Sequence, residues 1–192
     1  MGRIVVSEFV TLDGVMEDPG GAETFAHGGW AFKFERGPEG DKFKLDEVME
    51  ADAMLLGRLT YEGFAQAWPE RTDEAGFAGK MNGMRKYVVS STLSDPTWNN
   101  SVVVRGDLAE EAAKLKAEHD GDILVAGSRQ LVQGLTERHL VDEYRLMVFP
   151  TLLGSGKKLF EGGGDPLTLE LAEAKPGGGD GVLILTYRPR AA

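Results

Sequence analysis

The chain has 192 residues, a formal net charge of -10 and no cysteine. A chain of this length can bury a full hydrophobic core, so we expect a single domain over residues 1–192. The acidic balance argues against a nucleic-acid partner, because such binding depends on Lys and Arg side chains that neutralise phosphates. The missing cysteines exclude disulfides, a thiolate nucleophile and Cys-ligated metals.

Membrane and metal binding are not indicated by the sequence either. It contains neither a secretory signal pattern nor an apolar run close to the roughly 20 residues that cross a bilayer. The three histidines, His27, His119 and His139, lack the spacing of metal ligands. We therefore expect a cytoplasmic protein with no metal site and no membrane contact.

The first half of the chain is predicted to alternate strands and helices. Runs rich in β-branched and aromatic residues predict strands, and apolar residues at helical spacing predict helices. In chain order the elements are a strand at 3–10, a long Gly-rich loop at 15–38, a helix at 39–51, a strand at 53–57, a short helix at 60–67, and strands at 86–90 and 101–104. In the first helix, Phe43, Leu45, Val48 and Met49 are expected to share the buried face.

The second half continues this alternation and then changes to strands alone. Its predicted elements are a helix at 107–119, a strand at 122–126, a helix at 128–136, a strand at 141–149, and two strands at 167–174 and 181–187. Alternating strands and helices form mainly parallel sheets, and consecutive strands form antiparallel hairpins. We therefore predict an α/β fold with a mainly parallel mixed sheet, helices on both faces and an antiparallel C-terminal hairpin.

Three predicted strands end in residues suited to binding an anion. Ligands of open α/β sheets bind beyond the carboxyl ends of the strands, where helix N-termini present free N–H groups. Each stretch taken singly is more typical of a surface turn or a helix cap than of a binding site. Together they predict a phosphate-binding edge, formed by Gly57-Arg58-Leu59-Thr60, by Ser90-Ser91-Thr92 and by Gly127-Ser128-Arg129-Gln130.

The order of these motifs resembles the dihydrofolate reductase-like superfamily. The resemblance rests on LDG at 12–14, GRLTYE at 57–62, VVSST at 88–92, ILVAGS at 123–128 and VFPTLLGSGKKLF at 148–160. It runs from Ile4 to about Tyr187 and is similar to the branch that contains the reductase domain of bacterial riboflavin biosynthesis and its stand-alone relatives. The resemblance implies a three-layer dihydrofolate reductase-like fold.

The resemblance also implies NADPH as the cofactor. It places Gly57, Arg58, Thr60, Ser90 and Ser91 at the adenosine side, where an arginine fork and hydroxyl donors suit the 2'-phosphate. The pyrophosphate is then expected at the start of the later helix, formed by Gly127, Ser128, Arg129 and Gln130. The sequence departs from the dihydrofolate reductases there, since Gly127-Ser128 stands in place of paired glycines.

Two carboxylates are candidates for the end of the site where the nicotinamide and the substrate would react. Asp13 and Gly14 match the SLDG-type motif of the riboflavin branch, close to the expected nicotinamide pocket, although LDG is equally typical of a turn in which Asp binds its own backbone. Asp41 stands where dihydrofolate reductases place the carboxylate that binds the pterin. The charged residues around Asp41 are also typical of a solvated helix face. Asp13 and Asp41 are the candidate catalytic residues.

Two further segments are candidates for substrate contact. Trp30, with His27 and Phe32 in the long loop, can form an aromatic lid over a planar substrate or a small core beneath the loop. Gly154, Gly156 and Lys157 can border the substrate, as the corresponding loop does in the riboflavin branch. The alternative is a connecting loop that packs at a subunit contact.

Two functions are compatible with these motifs. The first is an NADPH-dependent reductase that transfers hydride to the C=N or C=O bond of a small planar heterocycle, pteridine-like or aminopyrimidine-like. The cofactor then performs the difficult chemistry, and the protein supplies orientation and electrostatics. The alternative is a non-catalytic homodimer of the same fold that binds a nucleotide or senses a planar ligand. A homodimer is expected in both cases.

Overall fold

The computed structural model describes residues 1–162 and 164–190, and the other residues of the predicted domain lie outside the described part. The strands are β1 (Arg3–Thr11), β2 (Ala53–Gly57), β3 (Arg85–Val89), β4 (Ser101–Val104), β5 (Asp122–Val125), β6 (Glu143–Phe149), β7 (Leu169–Pro176) and β8 (Leu183–Pro189). The α-helices are α1 (Gly37–Glu50), α2 (Arg58–Ala67), α3 (Phe77–Gly83), α4 (Leu108–Glu118) and α5 (Arg129–Glu137). A 3-10 turn at Trp30–Lys33 interrupts the long loop.

The strands form an eight-stranded sheet in the order β4-β3-β2-β5-β1-β6-β8-β7. The six strands from β4 to β6 run parallel, and β8 pairs antiparallel with both β6 and β7. The predicted mixed sheet with an antiparallel C-terminal hairpin is therefore confirmed. Its parallel part explains the continuous apolar runs, because these strands are covered on both faces.

Helices cover both faces of the sheet. Ile4 and Val6 of β1 pack in one core cluster with residues of α4 and α5. Val5 packs on the opposite face, in a cluster with residues of α1, α2 and α3. A third cluster, around Trp30 and Phe149, fills the space beneath the long loop. The alternation of side chains along β1 thus separates two helical layers.

The structure differs from the prediction at two helices. The segment that forms α3 contains Gly79 and Gly83, which weaken helix propensity. It is helical because Ala78 and Met81 are buried and because Asp73 accepts hydrogen bonds from the first N–H groups. In α1 the buried face is formed by Gly40, Glu47 and Val48, whereas Met49 is largely exposed.

Candidate functional site

The three predicted strand ends lie next to one another. Gly57 ends β2, Ser90 follows β3 and Gly127 lies just beyond β5. The order β3-β2-β5 makes these strands neighbours, and all three are parallel. The structure therefore brings together, at one edge of the sheet, the residues that the sequence places in a cofactor site.

The ends of β2 and β5 are in close contact. The Gly57 N–H donates to the Gly127 carbonyl at 3.1 Å. A Cβ atom added to Gly57 would lie 2.2 Å from Ser128 Oγ, and one added to Gly127 would lie 2.6 Å from Thr60 Oγ1. The peptide bond between Gly127 and Ser128 is cis. Glycine at both positions allows α2 and α5 to begin side by side.

The N-termini of α2 and α5 present unpaired N–H groups. Neither helix has a side-chain cap or an acidic residue in its first turn. By contrast α4, which follows β4 at the same edge, is capped by Asp107, whose carboxylate accepts from the N–H groups of Ala109 and Glu110. Free N–H groups and the helix dipole favour an anion beside α2 and α5.

Arginine side chains surround these helix starts. Arg58 forms a half-exposed ion pair with Glu62, at 2.9 Å, and Arg129 pairs with Glu161 at 2.8 Å. Arg105, which was not predicted as a site residue, follows β4, and its exposed side chain donates to the Leu93 carbonyl. The position of Arg105 at the end of the fourth parallel strand could have identified it. The arginines match the charge of a phosphorylated cofactor.

In the serine cluster, Ser90-Ser91-Thr92, one hydroxyl stabilises a turn and another is exposed to solvent. Ser90 Oγ accepts hydrogen bonds from the N–H groups of Thr92 and Leu93, so it stabilises the turn after β3. Ser91 is exposed, as is Gln130 in the first turn of α5. The Ser90 N–H donates to the Val104 carbonyl, which places the serines beside Arg105.

Asp13 joins the loop after β1 to the loop after β6. Its carboxylate accepts from the Thr11 hydroxyl and from the N–H groups of Leu153 and Gly154. The hydrogen bond from Thr11, with smaller contributions from the backbone N–H groups, lowers the pKa of Asp13. Asp13 is thus held as a carboxylate that accepts hydrogen bonds, so the geometry supports an organising role rather than proton donation.

The predicted substrate residues of the later loop lie beside this contact. The Gly14 carbonyl accepts from the Leu159 N–H, so the segment after β1 runs against the segment that contains Gly154 and Lys157. Lys157 pairs with Glu17, whose pKa is lowered chiefly by that hydrogen bond. A Cβ atom at Gly156 would lie 2.7 Å from Val15, so Gly156 serves close packing.

Two predicted site residues are corrected by their surroundings. Trp30 is 1 % exposed and its indole N–H donates to the Glu17 carbonyl, so it belongs to the core beneath the loop and does not form a lid. The Asp41 side chain is 65 % exposed and pairs with Arg36. Since α1 turns its other face to the sheet, Asp41 is a surface residue rather than a pocket carboxylate.

The buried carboxylate of α1 is Glu47, which was not predicted from the sequence. It accepts from the Ser7 hydroxyl of β1 at 2.8 Å and from Lys44, which also donates to Ser7. Glu47 lies seven residues after Gly40 and one before Val48 on the buried face of α1. This spacing identifies Glu47 only after Gly40 and Val48 are known to be buried, so the sequence alone carries no signal for it.

A cavity of about 360 Å³ lies beside α5, lined partly by Tyr144, Phe160 and Leu167. It contains none of the predicted site residues, and neither helix N-terminus opens into it. We therefore place the candidate site at the strand ends.

Within the described residues, no group of His, Asp and Glu side chains suited to a metal ion is found. No described helix has the length and apolarity that crossing a membrane requires.

The chain is similar in sequence to known proteins over most of its length. The family model of the RibD C-terminal domain matches residues 3–183. The uncharacterized protein YyaP of Bacillus subtilis is 30 % identical over 161 residues, which cover 82 % of this chain and 80 % of YyaP. A second uncharacterized Bacillus subtilis protein, YwjB, is 27 % identical over 151 residues, which cover 79 % of this chain and 78 % of YwjB.

Solved structures show the same fold at low sequence identity. A protein of Shewanella sp. PV-4 ascribed to riboflavin biosynthesis superposes with a TM-score of 0.79 at 20 % identity, covering 98 % of this chain and 99 % of that one. RibD of Acinetobacter baumannii gives 0.69 at 14 % identity, where 99 % of this chain spans 58 % of RibD. Dihydrofolate reductase of Enterococcus faecalis, complexed with NADP(H), gives 0.63 at 15 % identity, covering 98 % and 97 % of the two chains. These likenesses confirm the dihydrofolate reductase-like three-layer fold.

Proposed function

Because this chain belongs to the RibD C-terminal domain family, we propose that it is an NADPH-dependent reductase. The proposed reaction transfers hydride to the C=N or C=O bond of a small planar heterocycle, pteridine-like or aminopyrimidine-like, in the manner of the reductase step of riboflavin biosynthesis. The observation that carries the proposal is the pair of uncapped helix N-termini, flanked by arginines, at adjacent ends of parallel strands.

The order of the strands supports one orientation of the cofactor. Ser91 and Arg105 lie at the ends of β3 and β4, and the starts of α2 and α5 lie at β2 and β5. A dinucleotide with its pyrophosphate at the start of α5 and its 2'-phosphate among Arg58, Ser91 and Arg105 extends its other half toward β1, the next strand. The nicotinamide is then directed to the end of β1, close to Asp13 and Gly14.

The donor set fits the groups of NADPH. Arginine forks and hydroxyls suit a phosphate monoester, and helix N–H groups suit a pyrophosphate. When bound, the cofactor supplies hydride. The residues of this chain bind and orient it, while Asp13 holds together the two loops that border the substrate side. Arg58 pairs with Glu62 and Arg129 with Glu161, so a cofactor phosphate bound by either arginine would replace a carboxylate partner.

Titration with NADPH and NADH, followed by cofactor fluorescence, tests this proposal. Arg58→Ala and Arg105→Ala are each expected to weaken NADPH binding by roughly 1 to 3 kcal/mol, because each removes charged hydrogen bonds. The two substitutions are expected to weaken NADH binding less, since NADH lacks the 2'-phosphate. The matched control is Arg138→Ala at the C-terminal end of α5, where the arginine side chain donates to the Gly134 carbonyl of the same helix. No saturable binding of NADPH by the wild-type protein would overturn the reductase proposal.

Turnover separates this proposal from the non-catalytic alternative. A protein that binds NADPH tightly yet oxidises it with none of a panel of pteridines, aminopyrimidines and simple imines or ketones would be the nucleotide-binding homodimer.

A cytoplasmic location stays part of the proposal, as predicted from the sequence.

We also propose that the protein is a homodimer. Leu171 and Leu183 are 51 % and 43 % exposed, and their cross-strand partners place them on one face of the β7–β8 hairpin. Covering such a face with the same hairpin of a second copy buries both leucines. Light scattering is expected to give the mass of a dimer for the wild-type protein and of a monomer for Leu171→Glu. A monomeric wild-type protein would contradict the expectation.

A further inference from the structure

The side chain of Glu8 on β1 is a buried carboxyl group in which one oxygen has no hydrogen-bond partner among the described residues. The residue is 8 % exposed, and Oε1 is buried with no hydrogen bond within the described part of the chain. Burial raises the pKa of Glu8 to about 8, with a smaller contribution from Glu47 and an opposing one from Lys44. The carboxyl group therefore keeps its proton at neutral pH, and in that state it can both donate and accept a hydrogen bond.

Glu8 lies just beyond the last paired residues of β1 and β5, where these two strands separate. The β1–β5 ladder covers Arg3 to Val6, paired with Asp122 to Val125, and beyond it β1 pairs only with β6. Continuing that register places Glu8 level with Gly127, where the chain leaves β5 to begin α5. Glu8 thus borders the gap between β1 and the end of β5.

The side chain of Glu8 is on the face of the sheet that α5 covers. Val6 and Val10, two residues to either side, pack in the same cluster as Leu131 and Val132 of α5. On β6 the register neighbour of Glu8 is the apolar Leu146. The charges that act on Glu8 come from Lys44 and Glu47 of α1. Because Val6, Val10 and Leu146 beside it are apolar, a polar group that entered the gap would find Glu8 as a hydrogen-bonding partner.

We propose that the Glu8 carboxyl group binds the carboxamide of the nicotinamide ring. This inference rests on the proposed function, which directs the nicotinamide half of the cofactor from α5 toward β1. A carboxamide carries one acceptor, its C=O, and one donor group, its NH2. A protonated carboxyl group complements both at once through its O–H and C=O, whereas a carboxylate can only accept. Glu8 is then a residue that orients the ring and no covalent step passes through it.

The proposal predicts distinct binding behaviour for two substitutions. Wild-type protein is expected to bind NADPH progressively more weakly as the pH rises above about 8, where Glu8 loses its proton. Glu8→Gln keeps a donor and an acceptor, so it is expected to bind as the wild type does at pH 7 without that loss at higher pH. Glu8→Ala is expected to bind about tenfold more weakly at pH 7, since it removes both hydrogen bonds.

A cofactor analogue isolates the carboxamide. The 3-acetylpyridine analogue of the oxidised cofactor accepts a hydrogen bond but lacks the NH2 donor. The wild-type protein is expected to prefer the natural oxidised cofactor to this analogue, and Glu8→Ala is expected to lose the preference. Equal NADPH affinities for the wild type and Glu8→Ala, or an unchanged preference in Glu8→Ala, would overturn the proposal.

A measurement without cofactor tests the protonation state of Glu8. Since the folded-state pKa is raised from its ordinary 4.5 to about 8, the folded chain binds the proton more tightly than the unfolded chain. The unfolding free energy of the wild type is therefore expected to fall, relative to Glu8→Gln, as the pH rises from about 4.5 to 8. If the unfolding free energies of the wild type and Glu8→Gln change with pH in parallel, Glu8 is not a buried, protonated group. If the two unfolding profiles diverge but the wild type binds no NADPH, both the proposed function and the proposed role of Glu8 fail, and only its protonation in the fold is supported.

Discussion

Replacing Gly57 by alanine is expected to weaken both the fold and NADPH binding. The added methyl would lie 2.2 Å from Ser128 Oγ and 2.9 Å from the Ser128 backbone nitrogen. The backbone angles of Gly57, φ -76° and ψ 156°, suit any residue, so the effect is steric. Separating the start of α5 from β2 is expected to destabilise the protein by about 1 to 3 kcal/mol. NADPH affinity is expected to fall by roughly tenfold or more, about 1.4 kcal/mol.

The matched control is Gly63→Ala in α2. A Cβ atom there meets nothing within 4 Å, and the residue is exposed. Because alanine has a higher helix propensity than glycine, this change is expected to stabilise the protein by up to about 1 kcal/mol and to leave NADPH binding unchanged. Denaturant unfolding and fluorescence titration measure both quantities. Similar behaviour of the two variants would show that the contact between β2 and α5 is not required.

Replacing Lys86 by methionine is expected to cause the largest loss of stability, about 2 to 4 kcal/mol, because one buried and two partly buried carbonyl contacts lose their donor. Lys86 is fully buried on β3, and burial lowers its pKa to about 8. Its ammonium group donates to the carbonyls of Asn82, Met84 and Asn99 at 3.0, 2.7 and 3.0 Å. It also lies 4.1 Å from the centre of the Trp98 ring. Lys86 therefore joins the end of α3 to the segment before β4.

Lys114→Met is the control for this change. Lys114 is an exposed residue of α4 that pairs with Glu111 on the same helix, and its loss is expected to change stability far less than the loss of Lys86. Urea unfolding of the two variants against the wild type measures the difference. If Lys86→Met unfolds as the wild type does, the three carbonyl contacts contribute little to stability.

The grouping of the candidate cofactor residues at one edge of the sheet was predictable because it depends on local patterns. Apolar runs end in Gly57, Ser90 and Gly127, and parallel strands place their carboxyl ends at the same edge. Arg105 obeys the same rule, because it directly follows the apolar run SVVV of β4. The resemblance to the dihydrofolate reductase-like superfamily identified the strand ends of β2, β3 and β5 independently of the pattern.

The surroundings of the candidate substrate residues were less predictable because burial decides them. Asp41 and Glu47 are both carboxylates of α1, but the packing of the helix against the sheet leaves Asp41 exposed and buries Glu47 beside Ser7. Trp30 lies in a loop whose sequence is typical of a lid, yet it packs against Phe149 from a distant part of the chain. Neither outcome follows from helical or strand spacing in one segment alone.

Local sequence patterns were sufficient to predict the α/β class, the mainly parallel sheet and the strand ends that carry glycine and arginine. These features depend on residues close together in the chain, whose periodicity and turn chemistry act locally. Long-range packing, by contrast, sets which carboxyl groups are exposed, paired or buried. Asp13 is engaged by Gly154, 141 residues away, and Glu8 is isolated because β5 ends before β1 does and α5 covers that face. The physical reason is that pKa and hydrogen bonding depend on solvent exclusion by distant segments, which no local pattern records.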